Sequence, residues 1–165
     1  MPHASQFVFK SADGGVINLE DFKGKPLLVV NTASRCGFTG QLETLQKLFD
    51  TYYSDGLTVL AVPSNDFNQE LSSVEAVKEF CTINYNLTLP MTEITSVRGK
   101  NAHPFFRWVK ETTGFSPKWN FNKILIGPSG EVVKTFGSLT RPTSGAITRE
   151  IEKLLQLELT DQVSG

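Results

Sequence analysis

The chain has 165 residues, 39% hydrophobic and 20% charged, which suits a single domain over 1–165 with a real hydrophobic core. A net charge of −1 offers no basic surface for nucleic acid or an anionic membrane, and no apolar run reaches the roughly 18 residues of a membrane span. The opening MPHASQFVFK lacks the charged and apolar regions of a signal peptide, so a cytoplasmic location is expected, or a periplasmic or secreted one if a signal has been removed.

FVFK and GVINL, either side of Asp13-Gly14-Gly15, read as an N-terminal β-hairpin. Leu27–Val30 is a short continuous apolar run, the mark of a strand buried on both faces. Leu42, Leu45, Phe49 and Tyr52 recur at helical spacing and predict a helix from Thr39 to Tyr53, with Thr39 as its cap. Leu57–Pro63 is a second buried strand, and Ser72-Ser73-Val74-Glu75, with capping-box spacing, opens a second helix. Met91–Val97 reads as a strand or extended segment. Pro104 begins a third helix carrying Phe105, Phe106 and Val109. Lys123–Ile126 and Glu131–Phe136 flank a Pro128-Ser129-Gly130 turn and predict an antiparallel hairpin. Ile147, Ile151, Leu154 and Leu155 form the stripe of a last helix.

This order predicts an α/β fold with a central mixed sheet, flanking helices and the N-terminal hairpin. Two parallel strands joined by a helical crossover form the sheet centre. Ligands in such sheets sit at the carboxyl ends of the strands. Cys36 follows the first central strand and Ser64-Asn65-Asp66 the second, so both should share one edge.

A cysteine where a strand hands over to a helix is placed for reactivity. Only the thiolate is a nucleophile, and unpaired N–H groups at a helix N-terminus favour it. Position 39 is Thr, so the Cys-x-x-Cys of a dithiol oxidoreductase is missing; position 33 is Ala, where peroxiredoxins carry Thr. The two histidines, His3 and His103, read as surface or capping residues rather than as a base. Two Cys and two His give no zinc spacing, and no metal is expected. What remains is a lone activated thiol with neutral polar helpers.

NTASRCGFTG resembles the glutathione peroxidase signature Asn-x-Ala-Ser-x-(Cys or selenocysteine)-Gly-x-Thr. VPSNDFNQE resembles the family's second block, Phe-Pro-Cys-Asn-Gln-Phe-Gly-x-Gln-Glu, and KWNFNKILIGPSGEVV its third, Trp-Asn-Phe-x-Lys-Phe-Leu-Val. FCTINYNLTLPM and NAHPFF are also similar, and the resemblance runs from Phe7 to Leu155. It implies a thioredoxin-like fold and a thiol peroxidase that reduces hydrogen peroxide and organic or lipid hydroperoxides, an antioxidant activity. The implied catalytic tetrad is Cys36, Gln69, Trp119 and Asn120, with no cofactor beyond a reducing thiol co-substrate. The second block departs from the pattern: Ser64 stands for Cys, Asp66 for Gln and Leu71 for Pro, and Asn68 alone stands where a Gly-x pair is usual. The shortened loop leaves Asn65 as a fallback polar partner. Residue 36 is Cys, hence a non-selenium form.

Peroxide leaves the thiol as a sulfenic acid that a second thiol must reset. The resemblance points to Cys81 as a resolving cysteine served by thioredoxin. A buried structural thiol is the equal alternative, with glutathione then resetting Cys36. Thr-Ile-Asn-Tyr-Asn after Cys81 predicts a helix end that opens cheaply. The short stretch from Glu111 to Pro117 implies a monomer with an open site, since tetrameric relatives carry a longer insertion there. A peroxide sensor or thiol-disulfide relay on the same fold is the rival reading.

Overall fold

The computed structural model describes residues 3–164, with side chains from 3 to 155. A two-stranded antiparallel hairpin, β1 (Val8–Lys10) and β2 (Val16–Asn18), precedes a four-stranded sheet. The sheet strands are β3 (Leu27–Thr32), β4 (Thr58–Pro63), β5 (Lys123–Ile126) and β6 (Val132–Phe136), in the order β4-β3-β5-β6. β3 and β4 are parallel, with Leu27 opposite Thr58 and Thr32 opposite Pro63. β5 runs antiparallel to β3, with Lys123 opposite Val30, and β6 antiparallel to β5. The carboxyl ends of β3 and β4 and the start of β5 therefore meet at one edge of the sheet. That is the mixed α/β architecture expected from the sequence.

The helices are α1 (Gln41–Tyr52), α2 (Val74–Tyr85), α3 (Pro104–Thr113) and α4 (Gly145–Ser164). Period-two alternation divides the strand side chains between two cores. Leu28, Val30, Val59, Ala61 and Leu125 pack with Leu42, Leu45 and Leu48 of α1, Val77 and Cys81 of α2, and Ile147 and Ile151 of α4. Leu27, Val29, Leu60, Val62, Ile124 and Ile126 pack with Phe105, Phe106 and Val109 of α3 and with Phe7 and Phe9. Cys36 belongs to the first cluster, so both cysteines lie on the same face of the sheet.

Two local expectations, both helix caps, need correction. Thr39 does not cap α1; the cap position is Gly40, without a side-chain hydrogen bond. Ser73, not Ser72, caps α2, its hydroxyl accepting from the Ala76 N–H at 3.2 Å. The segment after Pro90 forms only isolated bridges, Ala61 with Met91 and Ser11 with Thr92. α2 ends on Asn86, which takes a left-handed conformation (φ 54°) and donates its N–H to the carbonyls of Cys81 and Thr82. Among the described residues, no helix is long and apolar enough to cross a membrane.

Candidate active site

Three loops converge on the shared sheet edge. The first runs from Ala33 to Gly40 and carries Cys36. Thr39 works inside this loop. Its hydroxyl accepts from the Cys36 N–H at 3.0 Å and donates to the Ala33 carbonyl at 2.9 Å. The loop closes further through Thr39 N–H to the Cys36 carbonyl, 3.0 Å. This tight turn aims the Phe38 N–H at Cys36 Sγ, 3.4 Å away. A backbone donor just ahead of a helix is the kind of group that stabilises negative charge on sulfur. Cys36 is 9% exposed, and the Arg35 side chain points out to solvent.

The second loop, Ser64–Leu71, is shaped by its departures from the family pattern. Asn68 adopts φ 60°, and Asn is one of the few non-glycine residues that tolerates this region, so one residue makes the bend. Asp66 Oδ2 accepts from the Val97 and Arg98 N–H groups at 2.7 and 3.1 Å and from Ser96 Oγ at 3.1 Å. Asn65, exposed, is tied into its own loop, its Oδ1 accepting from the Glu70 N–H at 3.2 Å. Gln69 is half-buried; its carbonyl accepts from the Arg35 N–H at 2.9 Å. Its side-chain Oε1 accepts from Asn120 Nδ2 at 2.8 Å, which leaves its own NH₂ as the free donor.

The third loop carries Trp119 and Asn120. Asn31, 1% exposed within β3, holds it: its Nδ2 donates to the Trp119 carbonyl at 2.9 Å, and its Oδ1 accepts from the Asn122 N–H at 3.0 Å. Phe121 sits at φ 60°, a conformation costing a bulky residue about 1–3 kcal/mol and kept only where the surroundings enforce it. Asn120 is fully buried, and its Oδ1 has no partner. Trp119 is 37% exposed and tilts against Phe67 at 5.3 Å between centroids; the Arg98 guanidinium lies 4.3 Å from the Phe67 centroid. The structure thus joins Gln69 to Asn120 and ties both loops to the strand and loop that carry Cys36. Among the described residues, only the Phe38 N–H hydrogen-bonds Sγ; the Gln69, Trp119 and Asn120 side chains do not.

The site also contains residues to which the sequence assigned no task. Lys123 is fully buried; its Nζ donates to Gln41 Oε1 at 2.7 Å and to the Thr140, Gly137 and Ser138 carbonyls at 2.6, 3.2 and 3.4 Å. Burial pushes its ammonium down to about 7. Ser138 passes this tie onward, its hydroxyl donating to the Asn120 carbonyl at 2.6 Å. Glu70 is 9% exposed, with Oε1 accepting from the Ser34 and Leu71 N–H groups at 3.1 and 2.9 Å. Asn31 and Lys123 each carried one faint signal, a polar group adjoining an unbroken apolar run.

Cys81 is 3% exposed, and its thiol is pushed up to about 12, first by burial and then by the charge of Glu70. It lines a cavity of about 210 Å³ with Lys78, Leu87 and Met91, beside the N-terminal hairpin. Beside Cys36 a second cavity, about 510 Å³, is lined by Gly37, Phe38, Gln41, Thr44, Leu139 and Arg141. Neither described histidine serves the thiol. His103 caps α3, its Nδ1 accepting from the Phe105 N–H at 3.0 Å, so Nε2 carries the proton and donates to the Val8 carbonyl at 2.8 Å. Its ring stacks on Phe9 at 3.9 Å. Among the described residues, no group of three or more His, Cys, Asp or Glu could hold a metal ion.

Comparison with known proteins agrees with this geometry. The family model described as Glutathione peroxidase matches residues 4–110, which include the first two blocks. A Lactococcus lactis protein named glutathione peroxidase is 43% identical over 87% of this chain and 93% of its own. A Synechocystis protein named hydroperoxy fatty acid reductase is 42% identical over 90% of this chain and 94% of its own. The crystal structure of T. cruzi GPX1 superposes with a TM-score of 0.73 at 30% identity, covering 94% of this chain and 97% of that one. The fold is thioredoxin-like, as the resemblance implies. A thiol loop before α1, an amide pair across two further loops and this breadth of likeness lead to one conclusion: the chain belongs to the glutathione peroxidase family and is a thiol peroxidase.

Proposed function

We propose that Cys36 is the sulfur that meets the peroxide. The observation that carries this reading is the Phe38 N–H directed at Sγ from a loop flanked by the Gln69–Asn120 amide pair and Trp119. The Cys36 thiolate attacks one peroxide oxygen, an S–O bond forms and the O–O bond breaks. Sulfur is oxidised by two electrons to the sulfenic acid, and the other oxygen leaves as water or an alcohol after taking a proton. The free NH₂ of Gln69 and the Trp119 indole are neutral donors that stabilise charge on the sulfur and on the leaving oxygen. Each such donor contributes about 3 kcal/mol to a transition state of this kind. Both pure donors and amides do this without an imidazole.

Organic and lipid hydroperoxides are the substrates that suit the cavity beside Cys36, where Phe38 and the exposed Leu139 offer apolar surface. The Synechocystis relative's name supports the same class. Cys81 then condenses with the oxidised Cys36, and thioredoxin reduces the disulfide; glutathione is the alternative reductant. Two features support this: both cysteines share one apolar cluster, and α2 ends just beyond Cys81. A monomer acting in the cytoplasm completes the proposal.

The test is steady-state peroxide reduction with thioredoxin and with glutathione, in the parent and in Cys81→Ser. Cys81→Ser should lose thioredoxin-supported turnover while still reducing about one equivalent of peroxide. An unchanged thioredoxin-supported rate would show that Cys81 is structural. Consumption of a single equivalent by the parent with both reductants would make the protein a sensor instead.

A further inference from the structure

Among the described residues Lys123 is the one fully buried cation, and no step above uses it. No carboxylate of those residues pairs with it; its partners are neutral oxygens. Nζ donates to Gln41 Oε1 at 2.7 Å and to the Thr140 carbonyl at 2.6 Å. Its remaining N–H is shared by the Gly137 and Ser138 carbonyls at 3.2 and 3.4 Å. A neutral amine would turn a lone pair toward one of these oxygens, so the ring of acceptors suits the ammonium alone. An unpaired charge is expensive to bury, and an apolar side chain would fill the same place on β5 more cheaply. Local conflicts of this kind gather where a function needs them.

Two chains of hydrogen bonds lead from Nζ into the site. Along the first, Gln41 opens α1 and donates its backbone N–H to the Phe38 carbonyl at 2.8 Å, and the Phe38 N–H points at Cys36 Sγ, 3.4 Å away. Along the second, Ser138 donates its hydroxyl to the Asn120 carbonyl at 2.6 Å, and Asn120 Nδ2 donates to Gln69 Oε1 at 2.8 Å. Gln41 Nε2 joins the two chains, donating to the Ser138 carbonyl at 2.7 Å. We propose that Lys123 is a positioning residue for peroxide reduction: its ammonium ties the first turn of α1 to the loop after β6, and so fixes the Phe38 N–H against the sulfur and Asn120 against Gln69. In this role Lys123 acts through Gln41 and Ser138, not on the sulfur itself. The role rests on Cys36 being the sulfur that meets the peroxide. Donors around a reacting atom work only when held to within about 0.5 Å, and a knot of buried bonds behind them supplies that precision.

Two variants separate the chains. Lys123→Met keeps the length of the side chain and removes the donors at the hub. Ser138→Ala keeps every oxygen that Nζ uses and cuts only the hydroxyl's bonds with Asn120 and Asn122. Two rates are read by mass spectrometry of the Cys36 peptide. One is loss of the thiol after a pulse of peroxide, quenched into denaturing N-ethylmaleimide. The other is alkylation of the native protein by iodoacetamide across pH. In Lys123→Met, oxidation by peroxide should slow on the order of 100-fold and the alkylation profile should move to higher pH, since the Phe38 donor no longer favours the thiolate. In Ser138→Ala, oxidation should slow on the order of 10-fold with the alkylation profile of the parent, because only the Asn120 chain is cut. A residue serving stability alone would lower the urea midpoint and leave both rates of the folded protein unchanged; that result in Lys123→Met overturns the proposal. Oxidation of Ser138→Ala at the parent rate also overturns it, and decides alone should Lys123→Met fold poorly. A parent whose Cys36 keeps its thiol through the pulse overturns the reading of Cys36 itself, and this proposal with it.

Discussion

Replacing Asn31 with Leu, its near-isostere, tests whether the third loop is held from within β3. The substitution leaves the backbone pairing of the strand in place but removes two side-chain bonds, to the Trp119 carbonyl and from the Asn122 N–H. The Asn122 N–H is buried, and orphaning such a group costs about 1–3 kcal/mol; the partly buried carbonyl adds about 1 kcal/mol. A net loss of about 3 kcal/mol lowers Tm by roughly 6–12 °C in a chain of this size. The loop keeps the Phe121 N–H bond to the Asn31 carbonyl at 2.6 Å, but Trp119 loses the side-chain tie that aims it, and the proposed donor shifts. A displacement of about 1 Å in a reacting constellation costs about 100-fold in rate. Urea unfolding measures the first effect, and kcat/KM for peroxide the second. Asn31→Leu with a stability loss under about 1 kcal/mol and parent kcat/KM would refute the reasoning, because nothing else described ties the Trp119 carbonyl to β3.

Two further outcomes are expected. Trp119→Phe keeps an aromatic ring against Phe67 but removes the indole donor; kcat/KM should fall about 100-fold with little change in urea midpoint, and an unchanged kcat/KM would remove Trp119 from the chemistry. For His103, burial lowers the imidazole below its ordinary 6.5. The unfolded chain therefore binds the proton first, so stability holds above that value and falls as the pH drops below it. His103→Ala should flatten this acid limb and cost about 1 kcal/mol from the lost cap, yet leave peroxide reduction intact; loss of activity in a folded His103→Ala would mean that an imidazole matters after all.

The parts of this fold that sequence reveals are those set by periodicity. The buried strands, the stripe on α4 and the position of Cys36 past a strand all follow from spacing. Boundaries set by a single hydrogen bond do not. β3 runs on through Asn31 and Thr32, past the point where apolar character ends, because Asn31 bonds outward to another loop while its backbone stays in the ladder. Thr39 suits a helix cap by type, but it closes the cysteine turn instead. Glu70 and Lys123 read as surface residues by type. Only the folded chain supplies the N–H groups and carbonyls that let a carboxylate and an ammonium lie buried without pairing with each other. The Gln69–Asn120 bond lay beyond reach as well, since the resemblance places both residues without saying which atom faces which.

The uneven burial of the two tryptophans makes the molecule its own optical gauge. Trp108 is 7% exposed among the phenylalanines on the far side of the sheet, whereas Trp119 is 37% exposed on the loop before β5. Emission from Trp119 should sit at longer wavelength and quench with acrylamide, while Trp108 supplies a steady blue background. On the proposed assignment of Trp119 to Cys36, changes in the sulfur's oxidation state should then register in real time without a dye or a coupled enzyme.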